Sequence, residues 1–294
     1  MVVAETILIT GATGTVGSQV IRQLASVDSE VNIIGAGHSL QNLEKIIEED
    51  RIKSMQIDFS EPETLKGALK ATDKVFLVTP FQPDMVQYSF NLLTEIKKAG
   101  NIKQIVKLSA IGADFEPGGR LHRQAEQIIE GSCIAYTFLR PNAFMQNFVN
   151  FYSHTIKEQD ALSLPAGDGK VSFVDARDIA AVAVQVLVNN IDGKYNGKTY
   201  DITGPEAISY HDAVRILSEQ VGKKISYVNV SEDDAFNAMK EIGLNDWLIK
   251  TILEGYNNLR KGYFSPITNV VEEITGRKPV SFKDFAKDHA EVFR

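Results

Sequence analysis

Short apolar runs and amphipathic stretches alternate through the first half of the chain. The amphipathic stretches predict helices near Thr15–Ala25, Asn42–Glu49, Glu61–Ala71, Asp84–Ala99 and Leu121–Glu130. The apolar runs predict strands at Thr6–Thr10, Val31–Gly35, Ser54–Asp58, Lys74–Thr79, Gln104–Ser109 and Ala135–Arg140. Strands that alternate with helices are typical of an α/β fold with a doubly wound parallel sheet and helices on both faces. Ligands of such folds bind outside the carboxyl ends of the strands, so the residues just after each strand are the candidates for function.

Three glycines stand directly after the first predicted strand. They have the spacing GxxGxxG within Gly11-Ala12-Thr13-Gly14-Thr15-Val16-Gly17, and a helix-like segment follows at once. In this context the first glycine permits a tight turn, the second lets the backbone approach a pyrophosphate, and the third lets helix and strand pack closely. The N–H groups of the helix N-terminus then bind phosphate oxygens. We therefore expect a Rossmann fold with a dinucleotide held by Gly11, Thr13, Gly14, Thr15, Val16 and Gly17.

The alternation changes after Phe144. A turn-rich segment ends at Lys170, and Asp175 is placed to cap a helix. The predicted elements are strands at Val171–Val174, Thr199–Thr203 and Ile225–Val230, a helix at Ala176–Val188, and mostly helical chain after Ser209. We expect an NAD(P)-binding Rossmann domain over residues 1–150, with its sheet completed by residues 171–203. Residues 151–294 would form a smaller, mostly helical lobe for substrate or partner, closing over the strand ends.

The composition narrows the class of protein. The 294 residues are 44% hydrophobic and 23% charged, and 31 Lys and Arg against 38 Asp and Glu give a net charge of −7. We find no basic run, so we expect no direct binding to nucleic acid. The single cysteine, Cys133, excludes an internal disulfide and a cysteine metal cluster, and we expect it to fill a helix–strand turn. With no leader-like segment and no long apolar stretch, we expect a soluble cytoplasmic protein without a metal or a membrane partner.

Four segments resemble the NmrA-like branch of the atypical short-chain dehydrogenase/reductases. They are Thr10–Gly17, Leu108–Gly112, Tyr136–Met145 and Ser172–Ala180. The resemblance spans nearly the whole chain and implies NAD(P) binding. Members of this branch are reductases of quinones or triphenylmethane dyes, or regulators that bind the cofactor without turnover, including nitrogen-metabolite-repression proteins and redox sensors.

The resemblance also reveals a missing pair of catalytic residues. Ordinary members of the superfamily use Tyr-x-x-x-Lys, in which the lysine lowers the tyrosine pKa and the tyrosine protonates the substrate carbonyl. This chain contains no Tyr-x-x-x-Lys; in the corresponding helix His122 and Glu126 keep the four-residue spacing, as in other NmrA-like proteins. Ser109 matches the superfamily's serine. His122 is the candidate proton donor near neutral pH, and the alternative is that His122 and Glu126 merely pair on the helix surface.

The loss of that pair limits the chemistry. Hydride transfer to a simple ketone forms an alkoxide, which needs a positioned acid. A reduced quinone is a phenolate whose conjugate acid has a pKa of about 10, so water can protonate it. A cationic dye that accepts hydride needs no proton. The sequence therefore favours an NAD(P)H-dependent reductase of a small quinone-like or other conjugated acceptor. The alternative is a non-catalytic NAD(P)-sensing regulator that acts through a protein partner; a sugar-nucleotide epimerase, which normally needs the tyrosine, ranks last.

The end of the second predicted strand bears on the choice of dinucleotide. An NAD site places Asp or Glu there, whereas this chain has Gly35-Ala36-Gly37-His38-Ser39, with neither that acid nor the arginine of many NADP-binding relatives. His38 and Ser39 can hydrogen-bond a 2′-phosphate, while Lys45 lies farther along. We therefore expect NADP(H) in preference to NAD(H).

The other cofactor candidates share a position directly after a predicted strand. They are Asp58 and Phe59 for the adenine, Thr79, Pro80 and Phe81 for the ribose and pyrophosphate, Ser109 and Ala110 for the nicotinamide ribose, and Pro141, Asn142 and Phe144 for the nicotinamide ring. For Asp58 the alternative is a cap on the helix near Glu61.

An aromatic cluster follows the sixth predicted strand. Phe148, Phe151 and Tyr152 would line an apolar acceptor pocket, although aromatic residues at this spacing also pack in cores. Arg177 and Asp178, at the start of the next predicted helix, are interpreted as structural.

Overall fold

The computed structural model describes residues 4–27, 31–44, 52–114 and 119–294. The helices of this part of the chain are α1 (Thr15–Ser26), α2 (Leu40–Glu44), α3 (Pro62–Leu69), α4 (Met85–Ala99), α5 (Arg120–Glu130), α6 (Ser153–Gln159), α7 (Ala176–Val188), α8 (Tyr210–Val221), α9 (Glu232–Glu241), α10 (Asp246–Arg260), α11 (Val270–Thr275) and α12 (Phe282–Asp288). The strands are β1 (Glu5–Thr10), β2 (Val31–Gly37), β3 (Ile52–Gln56), β4 (Lys74–Leu77), β5 (Gln104–Leu108), β6 (Ala135–Pro141), β7 (Ala161–Leu164), β8 (Lys170–Val171), β9 (Lys198–Ile202), β10 (Ile208–Ser209) and β11 (Ser226–Asn229).

Seven strands form one sheet in the order β3-β2-β1-β4-β5-β6-β9. The ladders from β3 across to β6 are parallel. The chain moves outward from β1 to β3 and then returns to the other side of β1 with β4. This reversal is the switch point at which doubly wound sheets bind their ligands. The predicted doubly wound Rossmann fold is therefore confirmed.

The chain divides into two compact units. The first consists of Met1–Asp114, Arg120–Arg140 and Ile179–Tyr200, and the second mainly of Pro141–Asp178 and Asp201–Arg294. The chain therefore passes between the two units several times. β9 completes the sheet within the predicted range of 171–203, whereas β8 does not join it.

The core of the first unit lies between the sheet and its helices. It is formed by apolar side chains of strands and helices, among them Leu8, Val75, Ile105, Phe138, Leu65, Leu92 and Ile129. Nearly continuous burial along β1 and β4 is what a parallel sheet covered on both faces requires. This packing fixes the ends of β1, β2, β4 and β5, which carry most of the candidate site.

The second unit has a core of aromatic rings. Phe148 is in edge contact with Phe173 and Phe282 at centroid distances of 5.5 and 4.9 Å. Two small sheets lie in this unit: β7 pairs with β11 in parallel, and β8 pairs with β10 in antiparallel orientation. The predicted strand at Val171–Val174 is shorter because the N–H groups of Ser172 and Val174 donate to the carbonyls of Phe264 and Ala143.

The start of α7 confirms the predicted cap and the structural role of its charged residues. The Asp175 side chain accepts the Arg177 backbone N–H at 2.8 Å. The Arg177 guanidinium donates to Asp288, and Arg277 forms an ion pair with buried Asp178 at 2.8 Å. These contacts attach the C-terminal segment to α7 within the second unit. Across the described residues, no helix is long and apolar enough to cross a bilayer, and no cluster of three or more His, Cys, Asp or Glu side chains could hold a metal ion.

Candidate functional site

The glycine loop after β1 leaves no room for a side chain at Gly17 of the helix that follows. Gly11 has a φ of +61°, and a Cβ on Gly17 would lie 2.2 Å from the Gly11 carbonyl oxygen. The Gly14 N–H donates to that same oxygen at 2.9 Å. In the part of the chain that the structure describes, no side chain caps α1, and its first turn contains no acid. The loop and the helix N-terminus therefore fit a pyrophosphate, whose oxygens the backbone N–H groups can bind.

His38 and Asp58 lie beside each other at the ends of β2 and β3. His38 Nε2 is 3.6 Å from Asp58 Oδ2, and the imidazole is largely exposed. The backbone N–H and the hydroxyl of Ser60 both donate to Asp58 Oδ1, at 2.8 and 2.6 Å. These bonds, with a smaller effect of His38, hold the pKa of Asp58 below its usual value. The site that would hold a 2′-phosphate thus contains a carboxylate as well as an imidazole.

The alternative role of Asp58 as a helix cap is wrong. α3 begins at Pro62 with Glu61 as the N-cap residue, and within the described residues no side chain caps it. Asp58 instead closes a local turn with Ser60. Lys45, the more distant candidate for the phosphate, lies outside the described residues.

The end of β4 is tied to the end of β1. The Thr10 hydroxyl donates to the Val78 carbonyl at 2.8 Å and accepts the Val78 N–H at 2.7 Å. Thr79 is buried and Pro80 is exposed. The Phe81 ring stacks on the His122 imidazole, with ring centroids 5.5 Å apart and an interplanar angle of 12°. Phe81 therefore reaches the residue proposed for proton transfer.

The carboxylate of Glu126 is buried and hydrogen-bonded to residues at the ends of β5 and β6. Ser109 Oγ donates to Glu126 Oε1 at 2.6 Å, and Arg140 Nη2 donates to Glu126 Oε2 at 2.6 Å. Arg140 also donates to Asp114 at 2.6 Å, and Arg123 donates to Glu126 at 3.2 Å. The Glu126 side chain has no exposure, and its hydrogen bond is the largest cause that raises the pKa of Arg140. The interpretation of His122 and Glu126 as a pair on the helix surface is therefore wrong for Glu126.

The His122 ring is neutral at physiological pH. Burial, followed by the charges of Lys107 and Arg140, lowers the pKa of His122 to about 3. Its Nδ1 atom is buried without a hydrogen-bond partner among the described residues. The prediction of His122 as a proton donor near neutral pH therefore requires a second group that returns a proton to the ring.

In the second unit, the Asn142 side chain forms hydrogen bonds with neighbouring segments of the chain. Its side-chain nitrogen donates to Ser172 Oγ and to the Phe264 carbonyl, both at 2.8 Å, and its oxygen accepts the Ala143 N–H at 2.8 Å. These bonds hold the chain that follows β6. Buried Pro141 precedes Asn142, and Phe144 bridges to Val174. A role of Pro141, Asn142 and Phe144 beside the nicotinamide stays a prediction.

The three predicted pocket aromatics have different surroundings. Phe148 is completely buried in the aromatic core, whereas Phe151 is 70% exposed. The Tyr152 hydroxyl lies 3.1 Å from the Tyr256 hydroxyl and is partly buried. The packing of Phe148 favours its interpretation as core, while Phe151 and Tyr152 stay candidates for contact with an acceptor.

Sequence reasoning missed Lys107 and gave Arg140 no role. Lys107 lies in β5 without any exposure, next to the Ser109 end of the strand. The signal was present in the sequence, because a lysine interrupts the apolar run from Ile105 to Leu108. A charged residue in a strand covered on both faces is rare unless it has a partner.

The family model described as the NmrA-like family matches residues 4–274. The chain belongs to this family. Over 98% of the chain and 99% of the relative it is 36% identical to the NAD(P)H azoreductase of Xenophilus azovorans. Among solved structures, the NADPH-dependent quinone oxidoreductase of Escherichia coli in complex with NADPH has a TM-score of 0.84 and 26% identity, covering 96% of this chain and 99% of that one. The triphenylmethane reductase of a Citrobacter species has a TM-score of 0.83 and 25% identity, covering 97% and 99%.

Proposed function

We propose that this NmrA-like protein is an NAD(P)H-dependent reductase of conjugated acceptors, including quinones, azo compounds and cationic aryl dyes. The observation that carries the proposal is the replacement of the tyrosine–lysine pair by the buried network of Ser109, Glu126 and Arg140 at the end of β5. The three relatives named above bear the names of reductases of such acceptors. Conjugation is what these acceptors share, since it delocalises the electron pair that hydride brings.

The dinucleotide would be held by the first unit. Gly11, Gly14 and Gly17 form the phosphate loop, and the N-terminus of α1 supplies N–H groups to the pyrophosphate. Thr79 and Ser109 stand at strand ends on one edge of the sheet, where the ribose and nicotinamide of a Rossmann ligand are expected. When bound, the reduced nicotinamide supplies a hydride.

Ser109 is oriented as a hydrogen-bond acceptor. Its hydroxyl proton points to Glu126, which Arg140 and Arg123 keep in place, so its oxygen offers lone pairs to a ligand. An acceptor of this kind suits the amide or hydroxyl donors of a cofactor and does not protonate an alkoxide. The site therefore favours reductions that need no strong acid at the position of the missing tyrosine.

We further propose that NADP(H) is preferred to NAD(H). His38 and Ser39 follow β2 without the acid that would hold an unphosphorylated ribose. The His38 imidazole is largely exposed, and its N–H can donate a hydrogen bond to a 2′-phosphate. Asp58 beside it opposes the same phosphate, so we expect a modest preference in which NADH still binds.

Binding and turnover measured on one sample test this function. Calorimetry with NADPH, NADP, NADH and NAD is combined with NADPH oxidation against menadione, an azo dye and a cationic triphenylmethane dye. We expect NADPH binding and acceptor-dependent oxidation, both abolished by Gly14→Trp, which fills the phosphate loop. Binding without turnover of any acceptor would overturn the reductase and favour a cofactor-sensing regulator with a protein partner. Absence of dinucleotide binding would overturn both.

A further inference from the structure

A fully buried lysine, Lys107, lies beside the candidate site and forms no ion pair with a carboxylate of the described residues. Lys107 is two residues before Ser109, and alternation along a strand places these two side chains on the same face of the sheet. Lys107 Nζ donates to the Leu108 carbonyl at 3.1 Å, which is its one hydrogen bond to the described residues. The other two N–H groups of an ammonium at this position thus have no protein partner there. Burial lowers the pKa of Lys107 to about 8, and the charge of Glu126 opposes this effect.

The imidazole of His122 offers a nitrogen lone pair that can accept a hydrogen bond from an ammonium group. A neutral imidazole carries one N–H and one lone pair, and the buried Nδ1 of His122 has no partner within the described part of the chain. The positive charge of Lys107 is one cause of the low pKa of His122 and favours a lone pair on the buried nitrogen. His122 as a whole is only partly buried, so its exposed part does not include Nδ1. The buried nitrogen thus experiences the charge of Lys107, while another part of the residue is open.

We propose that Lys107 is the proton reservoir of the site, passing a proton to Nδ1 of His122, directly or over a buried water, while the Nε2 proton of the same ring protonates the reduced acceptor. This inference rests on the proposed function. A neutral imidazole is a weak acid, so it can give up its Nε2 proton only if Nδ1 is protonated at the same time. Lys107 is left as a neutral amine and regains its proton from solvent.

The step balances for an azo acceptor. One nitrogen of the N=N bond takes the hydride of NAD(P)H, and the π electron pair moves to the other nitrogen. That nitrogen takes the Nε2 proton of His122, and Nδ1 takes a proton from Lys107. The sum is NAD(P)H, the azo compound and one proton giving NAD(P)⁺ and the N,N′-disubstituted hydrazine. The N=N π bond breaks, two N–H bonds form, and no further oxidant or reductant is required.

The need for Lys107 depends on how basic the reduced acceptor is. A nitrogen anion from an azo compound is strongly basic and needs the proton as it forms. A reduced quinone is a phenolate whose conjugate acid has a pKa of about 10, so water can replace the reservoir in part. A cationic triphenylmethane dye becomes neutral on taking hydride and needs no proton. The three acceptors therefore form a graded test of one residue.

The charged surroundings of the proposed pair come from three elements. α5 contributes Glu126 and Arg123, β6 contributes Arg140, and Asp114 follows β5. Glu126 and Asp114 are each ion-paired with both arginines. Burial lowers the pKa of Lys107 to about 8, and we assign a change near that pH to this lysine.

The test compares Lys107→Met with Lys74→Met. Lys74 is a second buried lysine, on neighbouring β4, but it is paired with Glu5 at 2.6 Å and lies at the start of its strand. Without cofactor, ¹⁵N NMR of the histidines should show a higher His122 pKa in Lys107→Met and an unchanged one in Lys74→Met. With NADPH, Lys107→Met should lower kcat for the azo dye roughly 100-fold, the effect of losing a general acid. With the quinone, the loss of kcat in Lys107→Met should be smaller. With the cationic dye, it should be no larger than the loss in Lys74→Met.

The pH profile supplies a further readout. For wild type, kcat with the azo dye should fall as the pH rises through about 8, and Lys107→Met should lack this fall. An equal loss with all three acceptors, or no loss with any, would overturn the reservoir while leaving the reductase in place. An unchanged His122 pKa in Lys107→Met would also overturn it. If wild type oxidises NADPH with none of the three acceptors, the proposed function fails, and the reservoir with it.

Discussion

Gly17 has no room for a side chain, because its missing Cβ would lie 2.2 Å from the backbone oxygen of Gly11. Its role in the sequence could be predicted, since three glycines in a strand–turn–helix context have a known geometry. The role of Lys107 could not be predicted in this way. Whether a lysine in an apolar run is buried depends on how α5 packs against β5, which is a tertiary contact that no local pattern contains.

Gly17→Ala should abolish dinucleotide binding and lower the free energy of unfolding by about 1–3 kcal/mol, because the loop must open to admit the methyl group. Gly67→Ala is the matched control. Gly67 lies within helix α3, and among the described residues a Cβ there would meet only Met55 of β3, at 4.0 Å. Alanine at this position should therefore raise the free energy of unfolding by about 0.5–1 kcal/mol. Urea unfolding and calorimetry with NADPH check both variants. Wild-type affinity in Gly17→Ala would contradict the close packing of loop and helix.

Asp58→Asn should raise the affinity for NADPH up to roughly fivefold, which is about 1 kcal/mol for an exposed charge pair. The reason is that the Asp58 carboxylate lies beside His38, where it would repel a 2′-phosphate. His38→Ala should lower NADPH affinity by a similar factor. NADH, which lacks the phosphate, is the internal control in the same titrations. Equal effects of Asp58→Asn on NADPH and NADH would place the phosphate elsewhere.

At the scale of elements, the sequence predicted those strands and helices whose hydrophobic pattern can be recognised within a few consecutive residues. Helix α7 has the predicted bounds, Ala176–Val188. Strand β7 was missed because it is short and its partner β11 lies far along the chain, so that Ala161 pairs with Ser226. The π-helical turn at Phe148–Tyr152 also escaped prediction, since its residues have the same apolar pattern as an ordinary helix.

Helices α8, α9 and α12 each begin with Ser-x-x-Asp, and in each the serine accepts the backbone N–H of the aspartate. Ser209→Ala at the start of α8 should therefore lower the free energy of unfolding by about 1 kcal/mol. Ser163→Ala, at an exposed position of β7, should change it by less than about 0.5 kcal/mol. Thermal and urea unfolding compare the two. Equal effects would show that the cap contributes nothing to α8.

At the scale of the whole molecule, the doubly wound parallel sheet could be predicted from the alternation of strands and helices. The division into two units could not, because the chain crosses between them at Arg140, Asp178 and Tyr200 within β6, α7 and β9. Continuous secondary structure at a crossing gives no change of composition that a sequence pattern could reveal.

The stability of the whole protein should depend on pH through Lys107. Its pKa is about 8 in the folded chain, against 10.5 as the ordinary value, so the unfolded chain binds more protons between these pH values. The free energy of unfolding should therefore rise with pH across that window. Below pH 8 the buried ammonium costs about 3 kcal/mol, at 1.36 kcal/mol per pH unit.

Lys107→Met removes this cost. Relative to wild type it should gain about 3 kcal/mol below pH 8, and the gain should shrink towards pH 10.5. Urea unfolding at several pH values measures the difference, with Lys74→Met as the reference for loss of a lysine in an ion pair. A difference between Lys107→Met and wild type that stays constant from pH 7 to pH 10 would contradict a low Lys107 pKa.

Hydride transfer itself is most directly tested by a single-turnover experiment with NADPH deuterated at C4. The protein–NADPH complex is mixed rapidly with menadione, and loss of the reduced-nicotinamide absorbance is followed for the two C4 epimers separately. We expect rapid oxidation that is slowed by deuterium in one epimer alone, because a folded site presents one face of the ring. Tight NADPH binding without such oxidation, or equal slowing for both epimers, would contradict a reductase site in this protein.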